Sequence, residues 1–578
     1  MFNQIKKIEE LIKLEPQNII NYFNLGNIYI KLKKYNLELK NFQITVDLDK
    51  NFLQGYNNLG NIYKELKNTK EAIKFFKQAI KINPNYINAI YNLANIYSEI
   101  AMYEEASNYY KKILKINPNY IPALNNFGIL LKNINMSNEA LKCFEKIIDI
   151  DKNYLRAYNN IGNILIETGE VNKAIHNYKK VLKLDPNNFI SYKNLLAAFE
   201  NSNQLSDYEK ILKQSKKIFP KKKVLDFYYS IFLFRKKKYK ESINILKKND
   251  FGAEFEIKKN FFLAKAYDFI NEHDSAFKYF RKANELTNKS HEAKNFDRKK
   301  YLQNLEIKKN YFTKKNIIQW NQIDHKSFDI SPTFLIGFPR SGTTLLDTIL
   351  RSHPKIEVIE EKPMVLKMLN LIKSNNLSSF KNISESEVSE MRKEYFSEIN
   401  KNIKKFNKSN IYIDKLPLNI VNVGEILRIF PNAKFILAIR HPIDCVLSCY
   451  MQDFKLNEAM INFLDIKSAA ILYKTTMELW EQYNSIFKIN YVQIKYEDLI
   501  DDFEKNIKNV IRFLNLSWDK SLLDYRKTAI NREKISTPSY YQVVQPIYKH
   551  AAQRWEKYKT HLVKISPILE DLVKKYEY

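Results

Sequence analysis

Cysteine is scarce. The 578 residues hold only Cys143, Cys445 and Cys449. Three thiols cannot build a disulfide framework, and a reducing, cytoplasmic setting is expected. Long apolar runs are missing as well. No stretch of 18 or more apolar residues occurs, so no membrane span is expected. The opening residues Met1-Phe-Asn-Gln-Ile-Lys-Lys-Ile-Glu-Glu10 lack the apolar segment of a secretory signal. Blocks of like charge are also lacking. The net charge is +30, yet lysines alternate with Asp and Glu along the chain. That pattern reads as solvated helix faces rather than a nucleic-acid surface, and no nucleic-acid partner is expected. An apolar content of 45% is ample for several cores.

What the chain has in quantity is repetition. Gly26, Gly60, Ala94, Gly128 and Gly162 stand 34 apart, in phrases such as Asn-Leu-Gly-Asn-Ile-Tyr. Ala72, Ala106, Ala140 and Ala174 keep the same step, as do Pro16, Pro84, Pro118 and Pro186, with Lys50 and Lys152 filling the gaps. Small residues let the two helices of a unit approach closely, and the proline phrase ends the second helix. The pattern resembles the tetratricopeptide repeat, whose units must stack to bury their apolar faces. Beyond about residue 200 the period blurs, and residues 201–330 read as degenerate repeats and a helical linker.

From Thr333 the character changes. Thr333 to Phe338 is an apolar run expected to form a buried strand. Gly337-Phe-Pro-Arg-Ser-Gly342 is a turn, and Thr343 to Ser352 is expected to be helical. A strand, a glycine turn and a helix N-terminus together make a phosphate-binding device. The Gly337-x4-Gly342 spacing is that of a nucleotide-triphosphate loop, but Thr343 replaces its lysine. This argues against a kinase or NTPase. Further strands are expected at Ile411–Pro417, Ala433–Arg440 and Tyr491–Tyr496, alternating with helices, hence a mostly parallel sheet. Arg340, Lys415, Arg440 and Tyr496 fall at strand ends, where such sheets bind ligands.

Pro339-Arg-Ser-Gly-Thr-Thr344, Arg440-His-Pro-Ile-Asp-Cys-Val-Leu-Ser448 and Tyr496-Glu-Asp-Leu499 together resemble the sulfotransferases that use 3′-phosphoadenosine 5′-phosphosulfate (PAPS). The nearest likeness is to tetratricopeptide-repeat members and protein-tyrosine sulfotransferases. The implied fold is an all-α repeat solenoid over 1–200, then residues 201–330, then an α/β three-layer, P-loop-like sulfotransferase domain over 331–578. By the resemblance, Arg340, Ser341, Gly342, Thr343 and Thr344 hold the 5′-phosphosulfate, and Arg440 and Ser448 hold the 3′-phosphate. Tyr496, Ser539, Gln542 and Arg554 supply further donor contacts. Glu361 is the implied general base, with Glu360 its neighbour and rival. Lys415 and Arg340 are implied to stabilise the leaving group. No metal is implied.

Two departures stand out. The phrase after Ser448, Cys-Tyr-Met-Gln452, lacks the basic residue that some protein-tyrosine sulfotransferases carry there, and the cysteines those enzymes bridge are absent, with Val358 and Tyr412 in the corresponding regions. Cys445, Cys449 and His441 could be imagined as zinc ligands, but no second cysteine pair accompanies them, and packing is the expected role. The acceptor stays open among protein tyrosine, saccharide and small metabolite, with the solenoid a candidate for presenting a peptide or protein. An oligomer is compatible with the sequence. The alternative reading is a repeat scaffold with a catalytically inert nucleotide-binding domain.

Overall fold

A computed structural model describes residues 2–323, 331–372, 376–403, 406–407, 409–531 and 552–578. The chain divides into two compact units, Met1–Ala198 and Phe199–Tyr578.

The first unit is built of antiparallel helix pairs, among them Ile19–Leu32 with Tyr35–Leu48, Leu53–Glu65 with Thr69–Ile82, and Leu155–Thr168 with Val171–Leu184. The 34-residue glycine has a steric cause. A Cβ on Gly60 would lie 2.6 Å from the Phe76 ring, and one on Gly162 only 2.4 Å from Tyr178. In the pairs with glycine at this place, the second helix thus presses an aromatic ring onto the first at the point where a side chain is missing. Ala72, Ala106, Ala140 and Ala174 are fully buried. The turn between repeats owes less to proline than the sequence suggests. Oδ1 of Asp49, Asn83, Asn117, Asp151 and Asp185 each accepts from the backbone N–H two residues on, at 2.8–3.0 Å. This Asx turn closes the helix, and it forms as well where Lys50 or Lys152 stands in proline's place.

A second periodicity lies in the backbone. Lys33, Lys67, Ala101, Asn135, Gly169, Asn203, Lys237 and Asn271 all have positive φ. They are 34 apart, so the repeat geometry continues through the stretch where its side-chain signature fades.

The second unit opens with helix pairs, including Ala253–Phe269 with His273–Asn288, and then forms a five-stranded parallel sheet. The strands are β1 (Thr333–Gly337), β2 (Ile356–Glu360), β3 (Ile411–Lys415), β4 (Lys434–Ile439) and β5 (Asn490–Lys495), in the order β2-β3-β1-β4-β5. Helical layers bury both faces. One face packs Phe334, Ile336, Phe435 and Leu437 with Phe261, Phe280 and Trp480. The other packs Leu335, Val358, Ile413 and Ile436 with Ile349, Ile507 and Val510. Strand β2 was not expected from the sequence: Glu357 and Glu360 interrupt its apolar run on opposite faces, so it shows neither an unbroken apolar stretch nor a clean alternation. Tyr496, expected to end the last strand, instead opens the helix Tyr496–Asp501. Among the described residues no helix is long and apolar enough to cross a membrane.

Candidate active site at the ends of the parallel strands

The chain leaves β1 toward β2 and leaves β4 toward β5, on opposite sides. The crevice between these two neighbours is where an open parallel sheet binds ligands. The loop 338–342 lies above β1. Gly337 has φ +155, and a Cβ there would sit 2.4 Å from the Ala438 carbonyl oxygen of β4. Gly342 has φ +99, with the Tyr496 ring 2.9 Å from a notional Cβ. Glycine is required at 342 by conformation as well as by space. Arg340 itself is left-handed at φ 73, a conformation that costs a non-glycine residue energy and recurs at functional sites. Ser341 is buried, and its Oγ has no partner among the described residues.

The loop is pinned from below. Cys445 and Cys449, one helical turn apart on Pro442–Tyr450, both direct Sγ to the Pro339 carbonyl oxygen at 3.2 Å. Burial pushes the Cys445 thiol up to about 12, so it stays a donor. These cysteines fix the loop, and among the described residues no cluster could hold a metal ion.

The two segments singled out by sequence meet directly. Arg340 Nε donates to Ser448 Oγ at 3.0 Å, and Arg440 Nη1 reaches the Arg340 carbonyl oxygen at 3.4 Å. Arg440 lies over the Tyr496 ring at 5.0 Å and beside Asp444 at 3.6 Å. Burial works against the Arg440 charge, but Asp444 and Tyr496 outweigh it and raise its pKa. Thr343 and Thr344 are buried in the first turn of the helix Thr343–Leu350.

At the end of β3, Lys415 is fully buried and donates to Glu361 Oε1 at 2.7 Å, with Glu360 Oε1 at 3.6 Å. The two glutamates differ in access: the Glu361 side chain is 31% exposed and that of Glu360 only 8%. Glu361 adopts φ 50, and its N–H donates to the Lys415 carbonyl oxygen at 2.8 Å. The turn therefore leaves the Glu361 carboxylate partly exposed and that of Glu360 nearly buried.

Ser539 and Gln542 lie outside the described residues. Arg554 is described, and its Nη2 is held by Asp268 Oδ2 at 2.7 Å. Asp268 also accepts from Tyr558 at 2.6 Å. Next to Arg554, the Trp555 N–H donates to Asp444 Oδ1 at 2.7 Å, and its ring stacks on His441 with centroids 4.9 Å apart. Burial lowers the His441 pKa to about 4, so the ring is neutral between its aromatic neighbours.

Sequence reasoning missed Asp268 and Lys265. They sit three residues apart on Ala253–Phe269, a spacing that shares a helix face. Burial lowers the Lys265 pKa; Asp453 and Glu200 oppose that, and the charges of Arg340 and Arg554 add to it. The helix belongs to the stretch read as degenerate repeats, so nothing local marked these residues as neighbours of Arg340.

The chain is similar in sequence to two kinds of known protein. Residues 332–520 match the profile described as Sulfotransferase family. Tetratricopeptide repeat profiles match 54–86, 75–106, 109–142, 155–188 and 260–290. An uncharacterized protein of Aquifex aeolicus is 28% identical over 327 residues, covering 55% of this chain and 42% of its own length. Protein-tyrosine sulfotransferase 1 of Danio rerio is 24% identical over 251 residues, covering 39% of this chain and 66% of its own. The chain thus spans less than two thirds of each of these relatives. Among solved structures, the tetratricopeptide-repeat protein YrrB, described as having an unusual peptide-binding site, is 22% identical and covers 32% of this chain and 95% of its own, with a TM-score of 0.28.

Proposed function

We propose that this chain, which joins a sulfotransferase-family domain to tetratricopeptide repeats, transfers sulfonate from PAPS to an acceptor hydroxyl. The observation that carries the reading is the 3.0 Å bond from Arg340 Nε to Ser448 Oγ. It brings the loop after β1 and the helix after β4 within the reach of one nucleotide.

The residues suit the donor. The Ser341 Oγ, without a partner among the described residues, and the first-turn backbone N–H groups can take a 5′-phosphate, a role helix N-termini fill well. Arg440 and Ser448 offer a rigid guanidinium fork and a neutral donor for a 3′-phosphate. When bound, PAPS supplies a sulfonate already activated by a phosphate leaving group.

The protein's part is positional and electrostatic. Glu361 accepts the acceptor's hydroxyl proton; Lys415 holds it through Oε1, and Oε2 makes no hydrogen bond among the described residues. The Lys415 ammonium and the Arg340 guanidinium counter the negative charge that grows on the leaving oxygen, a stabilisation strongest in a buried site. Asp268, through Arg554 and Tyr558, keeps the C-terminal segment in place beside this cleft.

Calorimetry with 3′,5′-ADP tests the donor site. Micromolar binding by the wild type, lost in Arg440→Ala, is expected; no binding by the wild type would sink the reading. Intact-mass analysis of candidate acceptors incubated with PAPS then separates a transferase, which adds one sulfonate, from an inert scaffold, which binds nucleotide and adds none.

A further inference from the structure

The helix pair Ala253–Phe269 and His273–Asn288 overlaps the match to a repeat profile at 260–290, yet it lies in the same compact unit as the parallel sheet. Its buried polar side chains face transferase elements rather than another repeat. Asn284 Nδ2 donates to the Tyr450 carbonyl oxygen at 2.9 Å, in the last turn of the helix Pro442–Tyr450. The Phe277 ring stacks on Tyr450 with centroids 5.5 Å apart, and on His561 at 4.3 Å. Asp268 is buried, and its two oxygens accept from Arg554 and Tyr558 at 2.7 and 2.6 Å.

A short strap joins this pair to the donor cleft. Gln553 is left-handed at φ 58, and the two residues after it bind different elements. Arg554 goes to Asp268, whereas the Trp555 N–H goes to Asp444 Oδ1 at 2.7 Å. Asp444 is buried in the first turn of Pro442–Tyr450, beside Arg440 at 3.6 Å. The helix that carries Ser448 is thus held at both ends by one helix pair, directly at Tyr450 and through the strap at Asp444. Burial raises the Asp444 pKa, and the charges of Arg440 and Arg554 both oppose that. Two guanidinium groups therefore stand within the influence of one carboxylate.

We infer that Asp268 is a positioning residue for the 3′-phosphate, so that the repeat-like helix pair forms the back of the pocket made by Arg440 and Ser448. This rests on the donor-site reading above. A single carboxylate cannot orient two guanidinium forks at once. Asp268 removes the competition, since its charge-assisted bond engages Arg554 and leaves Asp444 to Arg440. Backed by Asp444 on one side and the Tyr496 ring on the other, the planar Arg440 fork keeps one orientation toward an arriving phosphate. Without Asp268 the largely buried Arg554 charge has lost its counter-ion, a costly state. Asp444 is the carboxylate at hand, and Arg554 then draws it from Arg440. The effect is confined to that corner. Asn284 still seats the helix, and Cys445 and Cys449 still hold Pro339, so the loop that takes the 5′-phosphate stays in place.

The test is calorimetry on the full chain with 3′,5′-ADP and with 5′-AMP, which lacks only the 3′-phosphate. The wild type is expected to prefer 3′,5′-ADP by about 100-fold or more. Asp268→Asn, with wild-type circular dichroism, should lose about 10-fold or more in 3′,5′-ADP affinity and less than about 2-fold in 5′-AMP affinity. Asp268→Glu, which restores the charge, should recover most of that loss. A role in folding alone would weaken both nucleotides together. Should Asp268→Asn fail to fold, amide exchange in the wild type decides. There 3′,5′-ADP should slow exchange over residues 555–558 by about 5-fold or more, and 5′-AMP at equal occupancy should not. The inference is overturned if folded Asp268→Asn keeps the wild-type preference, if it loses both nucleotides equally, or if both nucleotides protect 555–558 alike. Any of these in a wild type that binds 3′,5′-ADP ends this inference alone. A wild type that binds neither nucleotide ends the donor-site reading and this inference with it.

Discussion

At the scale of single residues, the site depends on the pair at the end of β3. Replacing Glu361 by Gln removes the proposed proton acceptor and keeps the shape, and Lys415→Ala removes the buried cation. Each change is expected to lower kcat by about 100-fold or more in a sulfonate-transfer assay, with Glu361→Gln leaving 3′,5′-ADP affinity near wild type. Retained turnover in both would remove them from the mechanism. A second residue sets a pH dependence of stability. Asp414 is fully buried beneath the sheet, accepts from Tyr395 at 3.3 Å, and burial raises its pKa from 3.8 to about 8. The unfolded chain loses that proton near pH 4 and the folded one near pH 8. Stability from this group is therefore complete below pH 4, falls as pH climbs to about 8, and is level above. Asp414→Asn, which copies the protonated acid, should raise the thermal midpoint by about 3 °C or more at pH 8.5 and leave it nearly unchanged at pH 4. Arg340, Lys415 and Arg440 could be picked out in the sequence because each falls at or just beyond the end of an expected strand. The left-handed φ of Arg340 and Glu361 was not, since neither residue type announces that conformation.

Elements show why one kind of signal reads well and another poorly. Strands β1 and β4 were plain because buried parallel strands are nearly unbroken in apolar residues. Edge strand β2 escaped notice because Glu357 and Glu360 interrupt it, and only its register against β3, Ile356 opposite Ile411, makes it a strand. Within the repeats, the glycine period was legible and its partner was not: Phe42, Phe76, Tyr110, Phe144 and Tyr178 keep the same step, but aromatic residues are too common here to stand out. The pairing is directly testable. Gly162→Ala puts a methyl group 2.4 Å from Tyr178 Cε1, and should destabilise the repeat unit by about 1–3 kcal/mol in urea denaturation. The same change at Gly252, which has nothing within 4 Å, isolates the cost of its positive φ from that of crowding.

For the molecule as a whole, the backbone keeps time longer than the side chains do. The positive-φ position recurs from Lys33 to Asn271, and only Gly169 among these eight residues is a glycine. The period was read to about residue 200 because it was sought in small residues and prolines, whereas the conformation that defines the joint passes through lysine, asparagine and alanine. Ala101, at φ 61, has neither glycine's freedom nor asparagine's polar side chain to offset a left-handed backbone. Ala101→Gly should therefore stabilise the unit by about 0.5–1 kcal/mol, measured as a higher urea midpoint at unchanged slope. Glycine or asparagine placed at the lysine joints 33, 67 and 237 should add smaller increments of the same sign, since sites so far apart act independently. Each joint is thus a separate point at which backbone strain can be relieved by one substitution, leaving the buried side chains of the helices it connects untouched.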